Sequence, residues 1–183
     1  MVISPKKFAH VVYQTGRFPE MVAWYEEVLG CTAVYQKDTL SFLTYDDEHH
    51  RIAIVAIPKL QGEAVDHGRP GVNHVAYTYA TLDDLLATYV RLREAGVHPY
   101  WCVNHGITVS MYFRDPDGNQ MEFQVDAFAT PDEATRWMEG PKFAENPIGV
   151  EYDPEELLAR RRAGASEEEL LARPDEPMSA IPT

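Results

Sequence analysis

Cysteine is scarce in this sequence. Only Cys31 and Cys102 occur in 183 residues. They lie far apart and show no CxxC or zinc-ribbon spacing, so neither a disulfide framework nor a structural zinc site is expected. Both read as small, partly buried apolar residues, and a reducing cytoplasm is the expected compartment. Long apolar runs are also missing: none approaches the roughly 18 residues that would mark a bilayer span. The start, Met1-Val-Ile-Ser-Pro-Lys-Lys7, lacks the apolar stretch of a signal peptide. Positive charge is in deficit, with 16 Lys and Arg against 29 Asp and Glu and a formal net charge of −13. Such a surface repels phosphate backbones and anionic lipid, so neither nucleic acid nor a membrane is an expected partner. What remains is an ordinary soluble composition, 45% apolar and 25% charged. The chain is long enough to bury a core without cross-links.

An internal repeat is present. His10-Val-Val-Tyr13 matches His74-Val-Ala-Tyr77 at an offset of 64 residues, and Ala23/Ala87 and Tyr25/Tyr89 continue it. Gly30 and Gly96 close the two segments. Each unit reads as strand, helix, then strands. In the first, Phe8 to Tyr13 is a short β-rich strand, and Phe18, Met21, Val22, Tyr25, Val28 and Leu29 recur at helical spacing. Gly30 stands where a C-cap glycine belongs. Strands are expected over 32–36, 40–45 and 51–57. In the second unit Thr81 caps a helix whose stripe is Leu82, Leu85, Leu86, Tyr89, Leu92 and Ala95. Strands follow over 97–103, 107–114 and 120–126. The tight-turn sequence Asp115-Pro-Asp-Gly-Asn119 makes the last two a hairpin.

The expected fold is therefore α+β: two βαβββ modules in tandem, about 6–58 and 71–126. They form a cupped mixed sheet in a domain over 1–126, joined by a Gly- and Pro-bearing linker. A helical extension covers 127–183. Thr130-Pro, Asp153-Pro and the capping box Ser166-Glu-Glu-Glu169 mark its helix starts. Phe128, Trp137, Met138 and Phe143 are too apolar for a free segment. Residues 127–150 are thus expected to dock on the body, across a homodimer or other homo-oligomer, or over the cup mouth, with the acidic helices beyond them peripheral.

Among seven histidines, His10 and His74 hold matching places in the repeat. Taken singly, each reads as a structural histidine with an ordinary hydrogen bond. Paired by the repeat, they can meet at one cavity. Glu122 alternates with Met121 and Phe123, so it shares a strand face with Gln124 and Asp126. That face is either solvated or the lining of a polar cup. Two histidines and one carboxylate are the facial triad that leaves coordination positions open on non-haem Fe(II). Tyr112, in alternation with Ser110 and Thr108, is either a half-exposed hairpin tyrosine or a neighbour of Glu122.

These residues resemble the vicinal oxygen chelate superfamily, which includes glyoxalase I, bleomycin-resistance proteins and type I extradiol dioxygenases. The resemblance covers about 6–126. Its most specific run is Asn104-His-Gly through Tyr112 and Asp115-Pro-Asp-Gly-Asn119 to Glu122, which is similar to the extradiol dioxygenase series. It implies His10, His74 and Glu122 as ligands of Fe(II), with Mn(II) as the alternative. It further implies Tyr112 as a hydrogen-bond donor to a catecholate oxygen and His105 as a donor near substrate and dioxygen. His50 is the implied acid–base histidine, with His49 as rival. The substrates would be a small aromatic diol and O2, with a yellow ring-opened semialdehyde as product. Glyoxalase I takes a fourth ligand from the last strand of its first module, and Arg51–Ile57 holds no acid. A divalent-metal isomerase or lyase, or a metal-free ligand-binding or drug-sequestering module, are the alternatives. Tyr100, Trp101, Met111 and Phe113 are candidates for contacting the ring.

Overall fold

The two halves of the repeat each fold into their own mixed sheet behind one helix. The computed structural model describes residues 2–182. In the first module β1 (Val11–Thr15) pairs in parallel with β4 (Ile52–Ala56), and β3 (Leu40–Thr44) and β2 (Thr32–Lys37) follow antiparallel. In the second, β5 (His74–Thr78) pairs in parallel with β8 (Gln120–Asp126). Next come β7 (Thr108–Arg114), β6 (Trp101–Asn104) and a short edge strand, β9 (Val150–Glu151), all antiparallel. The expected α+β class holds, and β9 is an addition from beyond the modules.

The helices follow their apolar stripes. On α1 (Phe18–Leu29) Met21, Val22, Tyr25 and Val28 are buried, and Gly30 ends the helix in the left-handed conformation at φ 64°. On α2 (Leu82–Glu94) the buried residues are Leu82, Leu85, Leu86, Tyr89 and Leu92, and the Thr81 hydroxyl accepts from the Asp84 N–H at 3.1 Å. Two strands differ from expectation. Strand β1 starts at Val11 rather than Phe8, because the Arg51 guanidinium takes the carbonyls of Phe8 and Ala9. Strand β6 starts at Trp101 rather than Val97. The Val97 N–H still serves the end of α2 by donating to Leu92, and Pro99 has no N–H to give to a ladder. Both cysteines are buried, and burial pushes each thiol up to about 12, so neither is a nucleophile near neutrality.

The chain divides into two compact units, one of residues up to 66 with 115–119, the other of 67–114 with the rest. In the first unit Asp115 ties the hairpin turn. Its buried carboxylate accepts from the N–H groups of Asp117 at 3.0 Å and Asn119 at 2.8 Å, from the Asn119 amide at 2.8 Å and from the Tyr25 hydroxyl at 3.1 Å. Asp115→Ala would leave several of these donors unsatisfied. It is expected to cost about 3 kcal/mol, on the scale of 1–3 kcal/mol per unsatisfied group, read as a lowered melting temperature.

In the second unit the extension is part of the core. Helix α3 (Pro131–Met138) opens with a full capping box at Thr130 and Glu133, and α4 (Pro141–Glu145) follows. Helix α5 (Pro154–Arg162) is capped by Asp153 and α6 (Glu167–Leu171) by Ser166. The helices expected to be peripheral are docked. Leu157, Leu158, Leu170 and Leu171 are buried. The Tyr89 hydroxyl donates to Glu155 at 2.6 Å, and Arg161 pairs with Asp83 through two bonds of 2.7 Å. No helix among the described residues is long and apolar enough to cross a membrane.

Candidate active site

Strand register builds the site of the second unit. In the antiparallel pair β7–β8, Tyr112 stands directly opposite Glu122. In the parallel pair β5–β8, His74 stands opposite Gln120, two residues before Glu122 on the same strand face. The result is a pair: His74 Nε2 lies 3.1 Å from Glu122 Oε2. His74 Nδ1 donates to the Asn73 side-chain oxygen at 2.8 Å, because an amide oxygen can only accept. That bond fixes the ring and directs Nε2 at the carboxylate.

His105 and Tyr112 stand beside this pair. His105 Nδ1 donates to the Ile148 carbonyl, and Nε2 lies 3.0 Å from the Tyr112 hydroxyl and 3.8 Å from Glu122 Oε1. Burial lowers the His105 pKa, opposed by the Ile148 carbonyl and Glu122. With Nδ1 protonated and the ring neutral, Nε2 carries a lone pair. Burial, helped by the adjacent Glu122 charge, pushes the Tyr112 phenol far above its ordinary value. It therefore keeps one proton, with two acceptors in reach. Burial raises Glu122, but hydrogen bonds from His74, Ser110 and Tyr112 outweigh it and hold the carboxyl below the usual range. Glu122 is thus a buried anion in a nest of donors, an arrangement suited to a cation.

The remaining site candidates lie in the first unit. His10 is exposed at the entry to β1, with its ring 4.4 Å from that of His50. His50 stacks on Phe42 at 4.5 Å and shares a 2.6 Å contact between its Nδ1 and that of His49. Burial, with His10 and His49 close by, lowers the His50 pKa. Among the described residues no group of three or more His, Cys, Asp or Glu side chains is gathered at metal-binding spacing. The structure thus brings His74, Glu122, Tyr112 and His105 together in one unit and His10, His49 and His50 together in the other.

Two cavities flank the Tyr112–His105 pair. One, of about 300 Å³, is bordered by His74, Tyr100, Trp101 and Gln120. The other, of about 480 Å³, reaches Glu122 and is walled by the extension. Of the four ring-contact candidates, Tyr100 and Trp101 line the smaller cavity. Met111 and Phe113 point the other way into the core, where they are 0% and 1% exposed, as alternation with Tyr112 requires. Sequence reading missed Asn73, whose position next to a candidate ligand was the available signal, and the Ile148 carbonyl, for which a sequence carries no signal.

The donor chemistry fits a divalent metal ion. Two ligands at right angles, each about 2.1 Å from one ion, stand about 3 Å apart, which is the spacing of His74 Nε2 and Glu122 Oε2. The bond that His74 Nδ1 donates to Asn73 is of the kind that orients metal-bound imidazoles.

Comparison with known proteins points the same way. The profile of the Glyoxalase/Bleomycin resistance protein/Dioxygenase superfamily matches residues 7–123. The chain is 48% identical over 154 residues to biphenyl-2,3-diol 1,2-dioxygenase 2 of Rhodococcus globerulus, covering 84% of this chain and 80% of that one. To biphenyl-2,3-diol 1,2-dioxygenase 3 of the same organism it is 42% identical over 176 residues, covering 94% and 90%. A glyoxylase/bleomycin resistance protein/dioxygenase domain from Frankia sp. EAN1pec shares the fold at a TM-score of 0.59 and 22% identity, over 69% of this chain and 96% of that one. The paired modules, the histidine that opens β5 facing a glutamate on β8, and a profile running through both place this chain within the glyoxalase/bleomycin resistance protein/dioxygenase superfamily.

Proposed function

We propose that this protein is an extradiol dioxygenase that opens the ring of a catechol-type substrate with O2 at a 2-His-1-Glu Fe(II) centre. The observation that carries the reading is the His74–Glu122 pair at 3.1 Å with Tyr112 and His105 beside it, in a chain 48% and 42% identical to two biphenyl-diol dioxygenases. His74 and Glu122 would hold the metal with His10, the exposed imidazole that is the repeat partner of His74. Mn(II) suits the same donors. When bound, the ion would bring diol and O2 together and allow electron density to pass between them.

The chain's own groups would manage the protons. A diol must lose a proton to bind as an anion, and the lone pair on His105 Nε2 is placed to receive one through the Tyr112 hydroxyl. The same hydroxyl then donates to the anionic oxygen. His50, whose pKa burial lowers, is a second acceptor, with His49 beside it. A divalent-metal lyase is disfavoured because Ile52–Ala56 of β4 offers no fourth carboxylate ligand. A metal-free binding module is disfavoured by the 48% and 42% identity to two dioxygenases over most of the chain.

The direct test is anaerobic loading with Fe(II), then a panel of catechols in air with O2 uptake and product colour recorded. Yellow product with one O2 consumed per diol is expected, and iron-loaded protein inert toward every diol would overturn the reading. Within it, Tyr112→Phe should keep the metal but lower kcat by one to two orders of magnitude, roughly 1.4–2.7 kcal/mol. Unchanged steady-state kinetics would remove Tyr112 from the proton route.

A further inference from the structure

The 480 Å³ cavity is lined by two chemically different sets of residues. One set is Glu122, Tyr112 and His105. The other is Phe128, Pro131, Ala134 and Met138, contributed by the extension. All four lie beyond residue 123, where the superfamily profile stops, but within the stretch matched by the two biphenyl-diol dioxygenases. Its geometry follows from helix spacing: Pro131, Ala134 and Met138 stand at i, i+3 and i+7 and form one apolar stripe along α3.

The wall is also fixed in place. The capping box sets the first turn of α3. Trp137 packs so tightly on Gly106 that a Cβ there would lie 2.1 Å from the indole. Arg173 lies over that indole at 4.8 Å and donates to the Asn146 carbonyl at 2.6 Å and the Lys142 carbonyl at 2.7 Å. Charge completes the selection. None of the described residues bordering the cavity is Lys or Arg, while Asp126 and Glu122 are acids. A substituent carboxylate seated against the α3 wall would find no basic side chain and would lose its hydration.

We infer that α3 is the specificity-determining wall of the substrate site, seating an uncharged apolar or aryl substituent of the diol and excluding diols that carry a carboxylate. This rests on the dioxygenase reading for the position of the diol. It goes beyond that reading, and beyond the aryl-diol names of the two relatives, in assigning the residues that sort the substituent and the exclusion of a carboxylate.

The test compares catechol, 2,3-dihydroxybiphenyl and 2,3-dihydroxyphenylpropionate on Fe(II)-loaded wild type, Ala134→Phe and Thr135→Arg. Filling the cavity with Ala134→Phe should lower the ratio of kcat/KM for 2,3-dihydroxybiphenyl to that for catechol at least tenfold. Thr135→Arg, at an exposed position of α3 that borders the cavity, should raise the ratio for the propionate relative to 2,3-dihydroxybiphenyl at least fivefold. Anaerobic calorimetry on the same proteins reads the same preferences as binding, without turnover. If wild type turns over no diol, the dioxygenase reading fails, and the binding ratios alone decide the role of α3. If Ala134→Phe does not fold, the decision passes to Thr135→Arg. Ratios unmoved in the folded variants, or a wild type that prefers the propionate, would overturn the inference.

Discussion

His74→Ala is expected to strip the metal and abolish turnover while leaving the fold standing. The side chain is 33% exposed at the first residue of β5, so its loss opens little cavity, and the β5–β8 ladder is made by backbone groups. Its Nε2 is one of two donor atoms already at the spacing of ligands on one ion. Removing it leaves Glu122 with Ser110 and Tyr112, which hold a carboxylate in place but donate rather than ligate. Loss of turnover on the order of a thousandfold or more is expected, at least about 4 kcal/mol of transition-state stabilisation. Metal content after dialysis should fall well below one ion per chain, with the melting temperature of the metal-free forms within a few degrees. Wild-type iron content in His74→Ala would remove His74 from the ligand set, whatever happened to activity. Glu122→Ala is the less clean experiment, because that side chain is 6% exposed and its loss leaves buried donors unpaired.

The parts of this molecule that the sequence made legible are those with local causes. The stripe of α1, the Thr81 cap, the three cap signals of the extension and the Asp115–Asn119 turn each depend on residues within a few positions of one another, and each stands where expected. The histidine repeat pointed to His74, and strand alternation put Tyr112 and Glu122 on one face. Features that depend on distant pairing were not legible. Strand β9 has two residues and exists only because β6 offers it an edge. The Ile148 carbonyl that fixes His105 comes from the loop before β9, 43 residues away in sequence. Leu157 and Leu170 lie among so many charges that the segment reads as solvated. Helix α5 has almost no one-sided apolar pattern of its own, and only α2 beneath it reveals which side is interior.

Ending the chain at Gly164 is therefore expected to be strongly destabilising, although acidic composition alone marks that segment as dispensable. The deletion removes Leu170 and Leu171, 4% and 8% exposed. At about 1.5–3 kcal/mol per fully buried leucine, that is roughly 3–6 kcal/mol of lost burial. Polar partners go with them. The side-chain amide of buried Asn104 donates to the Leu171 carbonyl at 3.0 Å, and the Leu82 N–H at the start of α2 donates to Glu167 at 3.2 Å. Arg173 also disappears, and with it the brace on Trp137 and on the carbonyls of Lys142 and Asn146. Against a total stability of about 5–15 kcal/mol for a domain, the burial term alone is a large share. A loss near 4 kcal/mol corresponds to about 8–16 °C in melting temperature at this chain length. The effect should reach the site as well, because the brace holds α3 against the cavity. The truncated protein, assayed below its transition, should lose its preference between 2,3-dihydroxybiphenyl and catechol before it loses metal. A melting temperature within 2–3 °C of the full chain, in thermal scans of both proteins at equal concentration, would show that α6 and the residues after it are dispensable. The packing of Leu170 and Leu171 would then contribute nothing to stability.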